Sequence, residues 1–180
     1  MNIIVCVKAV PDPNQSGKIT IDPATKTLTR GDVPLVLNPL DKNALEAALL
    51  LKANQDAHIS VVSYNGYVLI AGQVNTEQLK ARATEVVRKV HGVRRIYNEL
   101  EVAAPSSAMT RTSDTWITTK VKSWLLGSTD SEGTRVKVVT ENGVVYLMGL
   151  ATRAEAQRAS DKAAGISGVQ RVVRLFELVD

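Results

Sequence analysis

Apolar and polar positions follow the period of a strand, then of a helix, then of a strand, and the chain runs through this cycle twice. In the first cycle, residues 58–64 (HISVVSY) lead into Asn65-Gly66 and out along 67–71 (YVLIA). An Asn-Gly pair supplies the positive φ angles of a tight turn, so a hairpin is predicted. A helix over 76–90 and a strand over 93–102 follow. In the second cycle the hairpin falls at 136–148 around Asn142-Gly143, the helix at 152–165 and the strand at 169–178. Residues 60–102 and 137–179 align with each other. Gly72 matches Gly149, Arg82-Ala83 matches Arg158-Ala159, and Gly92-Val93 matches Gly168-Val169. The offset is 77 residues before the helix and 76 after it, a single-residue gap. Such self-similarity implies tandem copies of one small unit.

The second copy has one further helix ahead of its hairpin, over 114–126 (DTWITTKVKSWLL). The complete unit is therefore helix–hairpin–helix–strand, an α+β arrangement with two helices on one face of a small sheet. Residues 103–112 (AAPSSAMTRT) are small and polar and read as a linker. The segment before the repeats has no copy. Residues 2–7 form an apolar strand that Pro11 and Pro13 terminate. KITIDPATKTLTR, 18–30, alternates around Pro23 as a hairpin, and a helix is predicted over 42–53, with Asn43 and Glu46 as a capping box. This segment has an α/β-like strand–hairpin–helix character.

Composition narrows the function classes. The chain has 180 residues, 44% apolar and 22% charged, with only 4% aromatic, so aliphatic side chains must build its core. The net charge is +4, and all of it lies beyond residue 56. Cys6 is the single cysteine, which excludes an intramolecular disulfide. His58 and His91 stand outside any Cys/His cluster, so no metal site is expected. No Ser/His/Asp or Cys/His constellation can be assembled, and Asp12, Asp22 and Asp41 are scattered, so the chain is read as non-enzymatic. Gly66 and Gly72 lack the Lys-Ser/Thr of a phosphate loop, and no aromatic-interleaved basic strand points to nucleic acid. Arg94, Arg95, Arg171 and Arg174 flank the last strands and read as a solvated face. Five apolar residues before Lys8 are too few for a secretory core, so the chain as written is expected in the cytoplasm.

NGYVLIAGQV…GVRRIYNELEV and DTWITTKVKSWLL…VVTENGVVYLMGL…GVQRVVRLFELV closely resemble tandem members of the BON domain family, over about 59–180. The resemblance implies a first unit at 57–102, the linker at 103–112 and a second, complete unit at 113–180. Relatives of this kind are periplasmic or anchored to the outer membrane and maintain the envelope. They bind anionic phospholipid such as phosphatidylglycerol through the first helix of the second unit. Envelope proteins are further implied partners. Here that helix carries Trp116, Ile117, Lys120, Val121 and Trp124. At 100° per residue, Trp116, Ile117, Val121, Trp124 and Leu125 cover one broad face. Ile117, Val121 and Leu125 are expected to pack on the sheet. Trp116, Lys120 and Trp124, at i, i+4 and i+8, form its edge, where Trp rings suit a membrane interface and Lys reaches phosphate.

MNIIVCVKAVPD, IDPATKTLTR and LNPLDKNALEAALLLKA, in that order, resemble the N-terminus of electron-transfer flavoprotein β subunits over 1–56. That resemblance implies AMP binding and docking to a flavin-carrying α-like partner. Cys6, Asn38, Pro39, Leu40 and Asp41 match positions near the nucleotide, while the family's later nucleotide-binding loop has no counterpart. No cofactor is expected under the phospholipid reading, and AMP under the alternative. A third reading is a chimera without integrated function. The first unit lacks its own opening helix. Residues 43–53 are expected to fill that slot through Leu45, Leu49 and Leu50.

Overall fold

Both Asn-Gly pairs form the turns that the pattern predicts. Asn65 and Asn142 sit at φ 49° and 50°, followed by Gly66 at 78° and Gly143 at 74°. The computed structural model describes residues 2–6, 9–11, 20–21, 28–29, 35–37, 44, 47–48, 57–127 and 135–179. In the first unit, β6 (His58–Tyr64) and β7 (Tyr67–Val74) are antiparallel, and α1 (Glu77–Arg88) crosses to β8 (Arg95–Val102), parallel to β7. The second unit opens with α2 (Ala108–Gly127). It continues through the hairpin β9 (Val136–Glu141) and β10 (Val144–Ala151), the helix α3 (Arg153–Ala164), and β11 (Arg171–Leu178), parallel to β10. The repeat extends to single bonds. Arg94 N–H donates to Gly66 O at 2.7 Å, and Gln170 N–H donates to Gly143 O at 2.8 Å. Each bond ties the start of the last strand to the hairpin turn.

The N-terminal strand β1 (Asn2–Cys6) runs parallel to β6, with Asn2 opposite His58 and Cys6 opposite Val62. It extends the first sheet to the order β1-β6-β7-β8, while the second sheet is β11-β10-β9. The predicted hairpin around Pro23 is present as β3 (Thr20–Ile21) against β4 (Leu28–Thr29). A short pair, β2 (Ala9–Pro11) with β5 (Leu35–Leu37), stands apart from it. Ala44, Ala47 and Ala48 are helical and buried in the first core. Leu45, Leu49 and Leu50 lie outside the described residues.

Side-chain alternation sends each central strand to two cores. On β7, Val68 and Ile70 face the core beneath α1, while Leu69 and Ala71 face the other way. On β10, Val145 and Leu147 face α2 and α3, while Val144, Tyr146 and Met148 face the other way. Those second faces pack together with Val62 and Leu175, so the two sheets meet back to back with their helices outside. This explains why β6, β7 and β10 are buried along almost their whole length. Close backbone approach at the sheets is permitted by Gly72 (φ 124°) and Gly149 (φ 152°). A Cβ there would stand 2.1 Å from His58 O or Arg135 O.

Polar bonds cross the rim of this seam. Asn65 Nδ2 donates to Glu177 Oε2 at 3.0 Å, and Lys137 Nζ donates to Ser63 O at 2.7 Å. Ser60 Oγ donates to Glu141 Oε1, and His58 Nε2 lies 3.6 Å from Glu141 Oε2. Burial pushes the Glu141 carboxyl above its ordinary value of 4.5. The Ser60 bond and His58 pull the other way, Asp114 adds to the rise and Arg111 opposes it. An acid whose folded pKa is raised holds its proton more tightly in the native state. Stability is therefore gained as pH falls through the raised value toward 4.5, and lost as pH rises. Glu141→Gln keeps an acceptor for Ser60 but cannot titrate. In thermal melts from neutral pH to 4.5, wild type is expected to gain on this variant steadily. A pH-independent difference in Tm would contradict the assignment.

Asp114 is the second clamp. It is buried on α2, and its carboxylate accepts from the backbone N–H of Asn142 at 2.8 Å and of Gly143 at 2.9 Å. One side chain thus fixes the helix against the β9–β10 turn. Asp114→Ala is expected to cost about 3 kcal/mol, because two donors lose a charged acceptor. Asp114→Asn, which keeps one acceptor oxygen, should cost less. Urea denaturation of the two variants checks the order.

Candidate functional site

The helix that carries both tryptophans is longer than its apolar periodicity indicates. It begins at Ala108 rather than 114. Ser107 moves the start: its Oγ accepts from Thr110 N–H at 3.1 Å, and its carbonyl accepts from Arg111 N–H at 3.1 Å. The latter part of the predicted linker is therefore helical. Thr112, Thr115 and Thr119 return their hydroxyls to carbonyls four residues earlier at 2.9–3.0 Å, so they cost the helix no unsatisfied groups.

Three faces result. Ile117, Val121 and Leu125 are buried against Val138, Val145 and Leu147. Ile117 and Val121 are therefore core residues, and their side chains cannot meet a ligand while the helix is docked. This corrects their place among the contact residues, since the same 3.6-residue period that joins them to the tryptophans turns them under the helix. Trp116 is 48% exposed, and Lys120 Nζ stands 5.4 Å from its ring centroid. Met109, seven residues before Trp116 and so on the same stripe, is 84% exposed. Trp124 is half-buried, packed on the core from one side and covered by Lys162 Nζ at 5.9 Å from its centroid.

Lys162 belongs to α3, whose start is set by a full capping box between Thr152 and Glu155. Between α2 and α3 lies an open groove of about 750 Å³ lined by Lys120, Trp124, Arg158, Asp161, Lys162 and Ile166. Periodicity on α2 alone does not show the α3 contribution. Its only sequence signal is the i, i+4 spacing of Arg158 and Lys162. The opposite edge of α2 faces the seam. There Arg111, Thr118 and Lys122 border a cleft of about 330 Å³ that reaches His58, Ser60 and Glu141, and Thr118 Oγ1 donates to Thr140 Oγ1 at 2.7 Å.

Of the strand-flanking arginines, Arg94, Arg95 and Arg174 are engaged within the protein. Arg94 lies over Tyr67 at 5.3 Å and 3.7 Å from Glu177, Arg95 lies over Tyr97 at 5.1 Å, and Arg174 donates to Gln157 at 2.9 Å. Cys6 ends β1 in the first sheet. Asn38, Pro39, Leu40 and Asp41 lie outside the described residues. Among the described residues, no group of His, Cys, Asp and Glu has the spacing of a metal site.

Comparison with known proteins agrees with the repeat. The family model of the BON domain matches residues 42–104 and 113–180. The chain is 38% identical to the outer membrane lipoprotein DolP of Haemophilus influenzae over 176 residues, 97% of this chain and 89% of that protein. It is 38% identical to a 21 kDa hemolysin of Actinobacillus pleuropneumoniae over 125 residues, 69% of this chain and 64% of that protein. It is also 54% identical to the electron transfer flavoprotein subunit beta of Clostridium acetobutylicum, over 63 residues that make up 35% of this chain and 23% of that subunit. Two family matches, each spanning one hairpin, its crossover helix and its parallel strand, place the chain in the BON domain family.

Proposed function

We propose that the chain is a non-enzymatic, peripheral binder of anionic phospholipid such as phosphatidylglycerol. Trp116, Lys120 and the exposed side of Trp124 make the contact. The observation that carries this reading is the half-exposed Trp116 with an ammonium held over its ring. An exposed indole has an apolar body and a polar N–H, which suits the boundary between water and lipid. At a bilayer interface, the ring lies among headgroups while the lysine meets phosphate. Met109 (84% exposed) and Leu126 (65% exposed) lie on the same helix, so three of the five exposed large apolar side chains of the described residues belong to α2. No helix of the described residues is long and apolar enough to cross a membrane, which fits a helix lying on a surface rather than spanning it. The similarity to an outer membrane lipoprotein supports an envelope-maintenance role at such a surface.

The binding expected is reversible and salt-sensitive, since each basic residue near an anionic leaflet contributes about 1 kcal/mol and is screened by added salt. Trp116→Ala is the clean test, because Trp124 also supports the core. Co-sedimentation with phosphatidylglycerol vesicles should weaken roughly tenfold in this variant, and strongly in wild type between about 50 mM and about 500 mM salt. Folded wild-type protein that ignores such vesicles at low salt would end this reading.

The flavoprotein similarity favours a second reading for residues 1–56, nucleotide contact near Cys6 and Asn38–Asp41. The matched segment is 23% of that subunit's length, and β1 is spent on pairing with β6. AMP is therefore expected to leave Tm unchanged. A dose-dependent rise, which only a ligand of the native state produces, would restore the nucleotide reading.

A further inference from the structure

We propose that the groove between α2 and α3 seats the phosphodiester headgroup of the anionic lipid, with Arg158 and Lys162 of α3 joining Lys120 as its cationic grip. The inference rests on the phospholipid reading above and adds a second helix to it. Three basic side chains line the groove against one acid, Asp161, and that carboxylate is already engaged, accepting from Gln157 Nε2 at 2.8 Å. A concave surface lined mostly by one sign of charge concentrates ions of the other sign.

The aromatic contacts set the depth of this site. Lys120 stands over Trp116 and Lys162 over Trp124, so both ammonium groups are held at the level of the rings. Rings lying among headgroups therefore bring both cations to the height of the lipid phosphates. The floor of Trp124 and Ile166 is apolar and suits a glycerol and the start of an acyl chain. A volume of about 750 Å³, open to the surface, is far larger than a free phosphate ion needs. Gly165, the C-cap of α3 where the helix carries its partial negative charge, also lines the groove. This field disfavours an anion against Gly165 itself, so the basic side chains have to supply the attraction. A headgroup with an added ammonium, such as ethanolamine, would meet the three cations unfavourably. The groove therefore selects for net negative lipids, while Trp116 contributes affinity without regard to charge.

The experiment compares full-length wild type, Trp116→Ala, the double variant Arg158→Gln/Lys162→Gln and the control Arg88→Gln/Lys89→Gln. The control removes the same charge from exposed positions at the end of α1. Co-sedimentation is measured with vesicles of phosphatidylglycerol and of phosphatidylcholine, and near-ultraviolet circular dichroism verifies the fold of each variant. The expected result is a loss of roughly thirtyfold in phosphatidylglycerol binding for the groove double variant. The control should stay within about threefold of wild type, and Arg158→Lys/Lys162→Arg should restore binding. Phosphatidylcholine binding, where measurable, should fall in Trp116→Ala and not in the groove variant.

If wild type binds phosphatidylglycerol and the folded groove variant binds equally well, the groove is overturned while the α2 reading stands. Equal losses in the control and the groove variant overturn it too, since net charge would then explain the effect. If wild type binds neither vesicle, both readings fall. Inorganic phosphate alone should leave Trp fluorescence unchanged at millimolar concentration. Saturable quenching there would assign the groove to free phosphate and overturn the lipid occupant.

Discussion

The back-to-back seam between the two sheets is the constraint on which the rest depends. Each unit alone would leave one face of a three-stranded ladder in water, with Leu69 and Ala71 or Val144, Tyr146 and Met148 exposed on it. Placing these faces together buries both, and it obliges every helix to lie on the outside. The outer surface of the second unit is then made of two helices side by side, α2 and α3. Their facing edges create the groove and carry Lys120, Trp124, Arg158 and Lys162. The groove at that place is a consequence of how the sheets dispose of their second faces.

A helix that leaves aromatic side chains exposed has to be held by something else. Ile117, Val121 and Leu125 anchor α2 in the core, and Asp114 grips the β9–β10 turn through two backbone N–H groups. The exposed edge can thus be apolar without destabilising the helix, because the opposite face supplies the burial. The first unit solves its packing differently. Ala44, Ala47 and Ala48 pack into its core, and β1 adds a fourth strand beside β6. The two copies share hairpin, crossover helix and last strand, and differ in what precedes them. Only the second carries tryptophan, so duplication of the fold has not duplicated the candidate site.

Much of the fold was legible because its signals are local. Asn65-Gly66 and Asn142-Gly143 specify hairpins through φ angles that few residues adopt, and the helices α1 and α3 fall within two residues of their predicted bounds. The start of α2 lies earlier than its apolar period indicates. Ser107 and the threonines after it look like linker chemistry, and only the observed capping bonds show that they begin a helix. At the site, Trp116, Lys120 and Trp124 were legible as one edge. The burial of Ile117 and Val121 beneath it depended on where the sheet lies, and the arrival of Arg158 and Lys162 depended on a helix more than thirty residues away in sequence.

The sequence by itself determined the repeat, the turns, the order of strands and helices, and the concentration of tryptophan on one helix, since each is written in spacings of a few residues. Tertiary structure alone decided that the sheets share their second faces, that β1 pairs with β6, that Glu141 meets His58 and Ser60 across the seam, and that a groove opens between α2 and α3. The physical reason is the same for all four. Burial is decided between surfaces far apart in the chain, and a period of two or of 3.6 residues says which side chains share a face but not what that face will meet.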